Sequence, residues 1–280
     1  MKRPALLGFF VLSYLLTFAL SFPDLWSRWQ SGVGGEEPGS GLWTTVGMFG
    51  PALAGVFCSA REGGLQGVYD LLRRLVRFRI AWPWALVSVL LLPTIAVLGT
   101  LLLRTVTGAV DVRFYDPLRP LTLFFIILLL VPCEEIGWRG YALPRLQDRY
   151  GALSSALLLG VWWGPWHATI ALIEPWRLFG RSLLEHVALF TLFTMVLSVV
   201  FTWVFNHTRG SLFWACVLHA SMNASGPFAL VEVPETLLPW LMPSGILVYG
   251  VVAFALVSVY GARELGRDGR VDSERLRSPD

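Results

Sequence analysis

The chain has 280 residues, of which 55% are hydrophobic and 15% are charged, and its formal net charge at pH 7 is +3. A water-soluble domain of this length needs far more charge to cover its surface, so the composition excludes one. The small net charge gives no support for a nucleic-acid partner, and the expected surroundings are membrane lipids.

Long apolar runs recur along the chain, each close to the ~20 residues that a helix needs to cross a bilayer. The first, residues 5–22, follows Lys2-Arg3 and ends in a sequence that resembles a signal-peptide cleavage site. Because further runs follow, we interpret it as an uncleaved first helix. The later runs are residues 42–60, 80–103, 120–143, 152–173, 187–205, 211–231 and 238–260. The pattern predicts an all-α, polytopic membrane protein with about eight transmembrane helices.

Arginine is concentrated in alternate connections between these runs, which sets the expected orientation. One side holds the termini and the basic connections: Lys2, Arg3, Arg61, Arg73, Arg74, Arg77, Arg79, Arg145, Arg149, Arg209, Arg263, Arg267 and Arg270. Both termini are therefore expected in the cytoplasm. Lys2 is the only lysine among 22 basic residues, a bias that favours a prokaryotic protein of the plasma membrane.

The second basic connection has helical periodicity. Leu65, Val68, Leu72 and Val76 recur at helical spacing between charged residues such as Arg73. This predicts a basic helix that lies in the membrane interface, and a solvated elbow is the alternative.

The domain organisation is expected to be simple. Residues 1–262 form one transmembrane domain without an internal repeat. Residues 263–280 alternate Arg, Glu and Asp and contain few apolar residues, so we expect a disordered, charged tail.

Ionisable residues inside the apolar runs indicate a functional site. Inserting one at the centre of a membrane helix costs about 2.5–3.5 kcal/mol of free energy unless it faces a partner or a cavity. The fourth run contains Glu134, Glu135 and Arg139. Glu135 and Arg139 are four residues apart and are predicted to form an ion pair on one helix face. Glu134 points about 100° away and becomes the candidate general base.

Two further runs contribute polar residues. The fifth carries His167 directly after Trp162-Trp163-Gly164-Pro165-Trp166, and its proline is expected to loosen the helix. The seventh carries His219 and Asn223, which are four residues apart and so share a face. We expect the fourth, fifth and seventh helices to meet at one buried polar site.

These motifs resemble a known family. The sequence Glu134-Glu135-x-x-x-Arg139, an aromatic residue four positions before His167, and His219-x-x-x-Asn223 occur in this order on three successive polar-bearing runs. The set is similar to that of the CPBP (CAAX protease and bacteriocin-processing, or ABI) intramembrane proteases, which include the Rce1-like prenyl endopeptidases. Trp163 stands where many members have phenylalanine, which preserves an aromatic wall.

The resemblance implies an intramembrane endopeptidase that acts on membrane-associated or lipidated peptides and proteins. In such a protein Glu134 and His167 activate a water molecule, and His219 and Asn223 donate hydrogen bonds to the developing oxyanion. A neutral histidine and an asparagine amide suit that task in a dry site. Glu135 and Arg139 are then supporting residues that orient the helix.

A metal-dependent mechanism is an alternative. Glu134, His167 and His219 resemble a ligand set of two histidines and one carboxylate, which suits a divalent ion such as zinc. Against it, the chain has no HExxH motif, Asn is a poor zinc ligand and Arg139 adds a positive charge nearby. We therefore predict that no cofactor is needed.

Two other functions also remain open. A proton-coupled transporter places Glu, His and Arg at similar depth but usually shows internal repeats, which this sequence lacks. A non-catalytic membrane scaffold or bacteriocin self-immunity protein would keep the fold and tolerate the loss of Glu134.

Overall fold

The computed structural model describes residues 6–31, 41–108, 113–114, 116, 118–173, 181–225, 231–232, 238–266 and 268–276. Several charged residues of the orientation argument lie outside the described residues, among them Lys2, Arg3 and Arg267.

Helices account for nearly all of the regular structure. In chain order they are α1 (Leu6–Ser31), α2 (Leu42–Gly47), α3 (Gly50–Leu72) with a following 3-10 turn (Arg73–Val76), α4 (Trp82–Thr107), α5 (Leu118–Leu130), α6 (Pro132–Glu135), a π-helix (Ile136–Ala142), α7 (Leu143–Gln147), α8 (Ala152–Trp166), α9 (Ala168–Ile173), α10 (Leu183–His207), α11 (Leu212–Ser225) and α12 (Leu238–Tyr260). Two short antiparallel strands, β1 (Arg113–Phe114) and β2 (Val231–Glu232), pair with each other.

Within the described ranges, seven helical segments are long and apolar enough to cross a membrane. They are Leu6–Gln30, Leu42–Val76, Trp82–Val106, Leu118–Gln147, Ala152–Ile173, Leu183–His207 and Leu238–Tyr260. The remaining predicted run, residues 211–231, contains α11, which has 14 residues. The predicted all-α membrane fold is therefore confirmed, with α11 shorter than the ~20 residues of a full span.

The helices α8 and α10 lie in the middle of the bundle and pack closely through glycine. A Cβ atom at Gly160 would lie 2.4 Å from the Cα atom of Met195, and one at Gly164 would lie 2.5 Å from the Cα atom of Thr191. Small residues spaced four apart let helix backbones approach in this way in membranes, where lipid tails are as apolar as leucine. The glycines therefore fix the position of α8, which carries Trp163 and is followed directly by His167.

The predicted helix in the second basic connection is present and follows a kink in α3. Gly64 has φ 60° and ψ −149°, a backbone conformation in which a residue with a side chain would be strained. The helix is kinked at this residue. Leu65 and Tyr69 are exposed beyond the kink, whereas Leu71 and Arg74 are buried against the bundle. Part of this helix is thus docked on the protein.

The tail after α12 folds back onto the bundle, and the described part of it does not match the expected disorder. Leu265 and Val271 are buried. The Gln147 Nε2 atom donates to the Val271 carbonyl at 2.8 Å, and the Asn206 Nδ2 atom donates to the Glu264 carbonyl at 2.9 Å. Two buried amide side chains therefore satisfy the tail's backbone, which offsets its low apolar content. The boundary at residue 262 stays a prediction.

Candidate active site

The first part of the candidate site is built where α6 passes into the π-helix. A π-helix is uncommon, and single turns of it occur frequently at functional sites. Gly137 in this turn lies against α3, since a Cβ atom there would be 2.4 Å from the Pro51 carbonyl oxygen. The Arg74 Nη2 atom donates to the carbonyl of Gly140. Contacts with α3 and with the 3-10 turn that follows it therefore hold the segment that carries Glu134, Glu135 and Arg139.

Glu135 and Arg139 form the ion pair that their spacing predicts. The Arg139 Nη1 atom donates to Glu135 Oε1 at 2.8 Å, and neither side chain has any exposed surface. The guanidinium also stacks between two aromatic rings, with its Cζ atom 4.1 Å from the ring centroid of Trp163 and 4.2 Å from that of Phe201. A cation held over aromatic faces is stabilised by the ring quadrupoles. Phe201 on α10 was not singled out by the sequence.

Glu134 has a different partner from its neighbour. The side chain is buried, and its Oε2 atom accepts a hydrogen bond of 2.8 Å from the indole nitrogen of Trp163. Among the residues that the structure describes, no basic side chain forms an ion pair with Glu134 within 4 Å. A carboxylate that accepts one hydrogen bond from a neutral donor has further lone pairs for a water molecule, as a general base requires.

His219 is joined to the ion pair across the helices. Its Nδ1 atom lies 2.8 Å from Glu135 Oε1. Because a carboxylate can only accept, Nδ1 carries the proton, and Nε2 donates a hydrogen bond only when the imidazole is positively charged. In this arrangement a neutral His219 presents a lone pair rather than an N–H at Nε2, which differs from the neutral donor that was expected.

His167 lies at the end of α8, where the helix containing Pro165 stops and α9 begins. Its Nδ1 atom is 2.9 Å from the Trp163 carbonyl oxygen, which can only accept, so a neutral His167 has its acceptor lone pair on Nε2. The half-buried ring packs against Trp166 and Phe190, with centroid distances of 4.9 and 4.7 Å. This tautomer suits a proton acceptor.

Asn223 lies one turn beyond His219 on α11, as their spacing predicts. Whereas His219 is buried, Asn223 is exposed at the surface of the helical bundle. This turn of α11 therefore connects the buried polar residues to the surface of the protein.

Trp163 connects the two halves of the site. Its ring centroid is 5.7 Å from those of both His167 and His219. The sequence indicated an aromatic wall here and missed the hydrogen bond to Glu134, because the rotation of α8 about its axis is set by tertiary packing. In the described part of the chain, no three His, Cys, Asp or Glu side chains are grouped so that they could hold a metal ion. Glu134, His167 and His219, the alternative ligand set, are therefore not grouped in this way either.

Two comparisons with known proteins bear on this site. The family described as type II CAAX prenyl endopeptidase Rce1-like matches residues 117–225, a range that contains every candidate residue. The chain is also similar to the CAAX prenyl protease 2 of Methanococcus maripaludis, with 23% identity over 259 residues that cover 86% of this chain and 92% of the relative. The resemblance that the motifs indicated is thereby confirmed: residues 117–225 match the Rce1-like CAAX prenyl endopeptidase family, and the protein is an integral membrane peptidase.

Proposed function

We propose that this protein is an intramembrane endopeptidase in which Glu134 and His167 activate the attacking water and His219 and Asn223 bind the oxyanion. The observation that carries the proposal is the contrast between two adjacent carboxylates. Glu135 is hydrogen-bonded to both Arg139 and His219, while Glu134 accepts a hydrogen bond from the neutral indole N–H of Trp163. One carboxylate organises the site, and the other accepts a proton.

In this reaction a water molecule loses a proton to Glu134 as its oxygen bonds to the carbonyl carbon of the peptide. The carbonyl oxygen becomes an oxyanion and accepts hydrogen bonds from His219 Nε2 and the Asn223 amide. When the C–N bond breaks, the proton held by Glu134 passes to the departing amine. His167, whose acceptor is Nε2, helps to orient the water and to carry the proton.

The proposed substrates are membrane-associated or lipidated peptides and proteins. The name of the M. maripaludis relative, CAAX prenyl protease 2, favours a prenylated C-terminal substrate as the first to try. The substrate is expected to enter along the side where Asn223 is exposed. Membrane lipids surround the outer helices in this proposal.

The proposed location is a prokaryotic plasma membrane with both termini in the cytoplasm. Support comes from the basic residues near the tail end of the bundle, such as Arg73, Arg74 and Arg145, since positive residues favour the cytoplasmic side. Cysteine-accessibility labelling at residues 41 and 63, on either side of the predicted span at 42–60, would report the orientation, with residue 63 protected from reagents added outside the cell.

We also propose that hydrolysis proceeds without a metal cofactor. His219 uses one ring nitrogen on Glu135, and the Arg139 guanidinium places a positive charge in the same cluster. Both features disfavour a cation at His219. Dialysis against a strong chelator is expected to leave the rate of cleavage unchanged, and loss of activity that zinc restores would contradict the proposal.

The test is cleavage of matched peptides, with and without a C-terminal prenyl group, by the protein reconstituted in vesicles. Glu134→Gln is expected to lower the rate by about 100- to 10,000-fold, because the amide cannot accept the proton from water. The control is Glu185→Gln, which changes an exposed carboxylate in the first turn of α10 and is expected to stay within about twofold of wild type.

The outcomes separate the functions. Cleavage by wild type and not by Glu134→Gln supports the peptidase, and the two peptides report whether prenylation matters. Absence of cleavage for every peptide, with a folded protein, would favour the membrane scaffold or immunity protein. Proton uptake into vesicles without cleavage would favour the transporter.

A further inference from the structure

A polar cavity lies at the end of the bundle where the tail packs. Its volume is about 210 Å³, and it is enclosed by the kinked part of α3, by α7 and by the tail. Polar side chains line it, including Glu62, Gln66, Arg74, Arg145 and Ser273. None of these residues takes part in the proposed hydrolysis.

The feature that distinguishes this cavity is Arg74. The residue is 5% exposed, and one of its nitrogens, Nη2, donates to the Gly140 carbonyl. Its Nε and Nη1 atoms have no hydrogen-bond partner among the described residues. Leaving a buried guanidinium with two unsatisfied donors is costly, which points to a ligand of opposite charge.

The acidic residues of the cavity already have partners of their own. Glu62 accepts from Arg145 Nη2 at 2.5 Å and from the Tyr141 hydroxyl at 2.5 Å. Asp70 forms an ion pair with Arg73 at 3.1 Å. The charge of Arg74 is therefore not cancelled by a direct ion pair with either carboxylate.

We infer that this cavity binds a phosphate group through Arg74. A guanidinium N–H donates a charge-assisted hydrogen bond to a phosphate oxygen, and hydrogen bonds to charged groups are the stronger kind. The Gln66 amide donates one N–H to Asp70 at 3.2 Å, and its second N–H is a further donor on the cavity wall. Two sources present this chemistry, an anionic phospholipid headgroup and free inorganic phosphate.

The surroundings favour the lipid. Leu65 and Tyr69 are 89% and 62% exposed on the part of α3 that leads into the 3-10 turn carrying Arg74. These apolar side chains offer a surface for acyl chains beside the cavity, as interfacial helices do. The phosphate would then lie at Arg74 with its lipid tails along the helix.

Gly63 gives a test that leaves the fold alone. It lines the cavity, and a Cβ atom at this position would meet no atom within 4 Å. Gly63→Glu adds a negative charge at the cavity wall, and Gly63→Gln adds nearly the same volume without charge. Arg74→Gln removes the proposed ligand contact, and Arg61→Gln removes an exposed arginine of α3 that does not line the cavity.

The measurement is native mass spectrometry of the full-length protein in detergent, titrated with phosphatidylglycerol or phosphatidylcholine, together with thermal unfolding in increasing inorganic phosphate. Wild type is expected to bind phosphatidylglycerol more tightly than phosphatidylcholine. Gly63→Glu and Arg74→Gln should weaken that binding about tenfold or more, while Gly63→Gln and Arg61→Gln stay within about twofold of wild type.

Each outcome decides the inference. Saturable stabilisation by inorganic phosphate without lipid preference supports the same site with free phosphate as its ligand. Binding of neither probe by folded wild type, or full binding by Gly63→Glu, would overturn it. Because binding is measured without substrate, it is independent of the proposed hydrolysis, and Glu134→Gln is expected to bind as wild type does.

Discussion

The inner helices α8 and α10 and the outer helices α4 and α12 are all apolar, yet they are buried to different degrees. In the most apolar 18-residue stretch of each segment, half of the residues are buried for α8 with α9 and for α10. The buried share is 18% for α4 and 17% for α12. The outer helices expose large side chains such as Leu102 and Phe254, whereas the interior holds Glu134, Glu135 and Arg139.

This arrangement is the opposite of that in water-soluble proteins, in which apolar side chains are buried and charged side chains are exposed. Lipid tails solvate leucine as well as a protein core does, so apolar side chains gain little by moving inside. Charged groups gain a great deal, because in lipid they would have no hydrogen-bond partner. The polar interior is thus what organises the bundle, and the following predictions test that contrast.

The largest expected effect is on stability and comes from the ion pair. Arg139→Met removes the cation between Glu135 and the rings of Trp163 and Phe201, leaving a buried carboxylate with less compensation. We expect a loss of about 3–5 kcal/mol in the free energy of unfolding. The matched change on an outer helix, Arg104→Met, should alter it by less than about 0.5 kcal/mol.

Unfolding of both variants in the same detergent, followed by circular dichroism against temperature, makes this comparison. If Arg139→Met unfolds at the same temperature as Arg104→Met, the charged interior does not stabilise the bundle. The double variant Glu135→Gln/Arg139→Met should recover part of the stability, since the uncompensated carboxylate is gone.

The next effect is on catalysis. His219→Gln removes the imidazole while it keeps a polar side chain on α11, and we expect the rate of cleavage to fall about 100- to 1,000-fold with little change in KM. His207→Gln is the matched control, because His207 packs against Trp84 and Trp203 away from the site. Steady-state kinetics of both variants checks the prediction, and equal losses would mean that His219 acts through packing alone.

Glycine packing gives the smallest expected effect. Gly164→Leu forces a side chain into Thr191 of α10 and should cost about 1–3 kcal/mol. Gly250→Leu on α12 meets no atom within 4 Å and should have almost no effect or stabilise the helix slightly. The unfolding temperatures of the two variants report the difference, and a larger loss for Gly250→Leu would reverse the assignment of inner and outer helices.

The predictable features were those set by spacing along one helix. The sequence predicted the helical runs and the pairing of Glu135 with Arg139, which follows from their separation by four residues. It did not predict the bond between Trp163 and Glu134 or the stacking of Phe201 on Arg139, because these depend on how separate helices rotate against one another.

The tail shows a second limit. Its charged composition predicts disorder, and its few apolar residues, such as Leu265 and Val271, give no periodic signal. The partners that order it are Gln147 and Asn206, which lie far away in sequence on α7 and α10. The conformation of such a segment depends on hydrogen-bond partners elsewhere in the chain, so it cannot be predicted from the sequence of the segment itself.

The most direct test of the account asks where a substrate's scissile bond lies in the bundle. A membrane peptide with a photocrosslinking group at that bond would be bound to Glu134→Gln, which is not expected to cleave it, illuminated and mapped by mass spectrometry. We predict crosslinks to α8 and α11, near Trp163 and Asn223. Crosslinks confined to the outer helices α4 and α12 would contradict the claim that the buried polar residues are the active site.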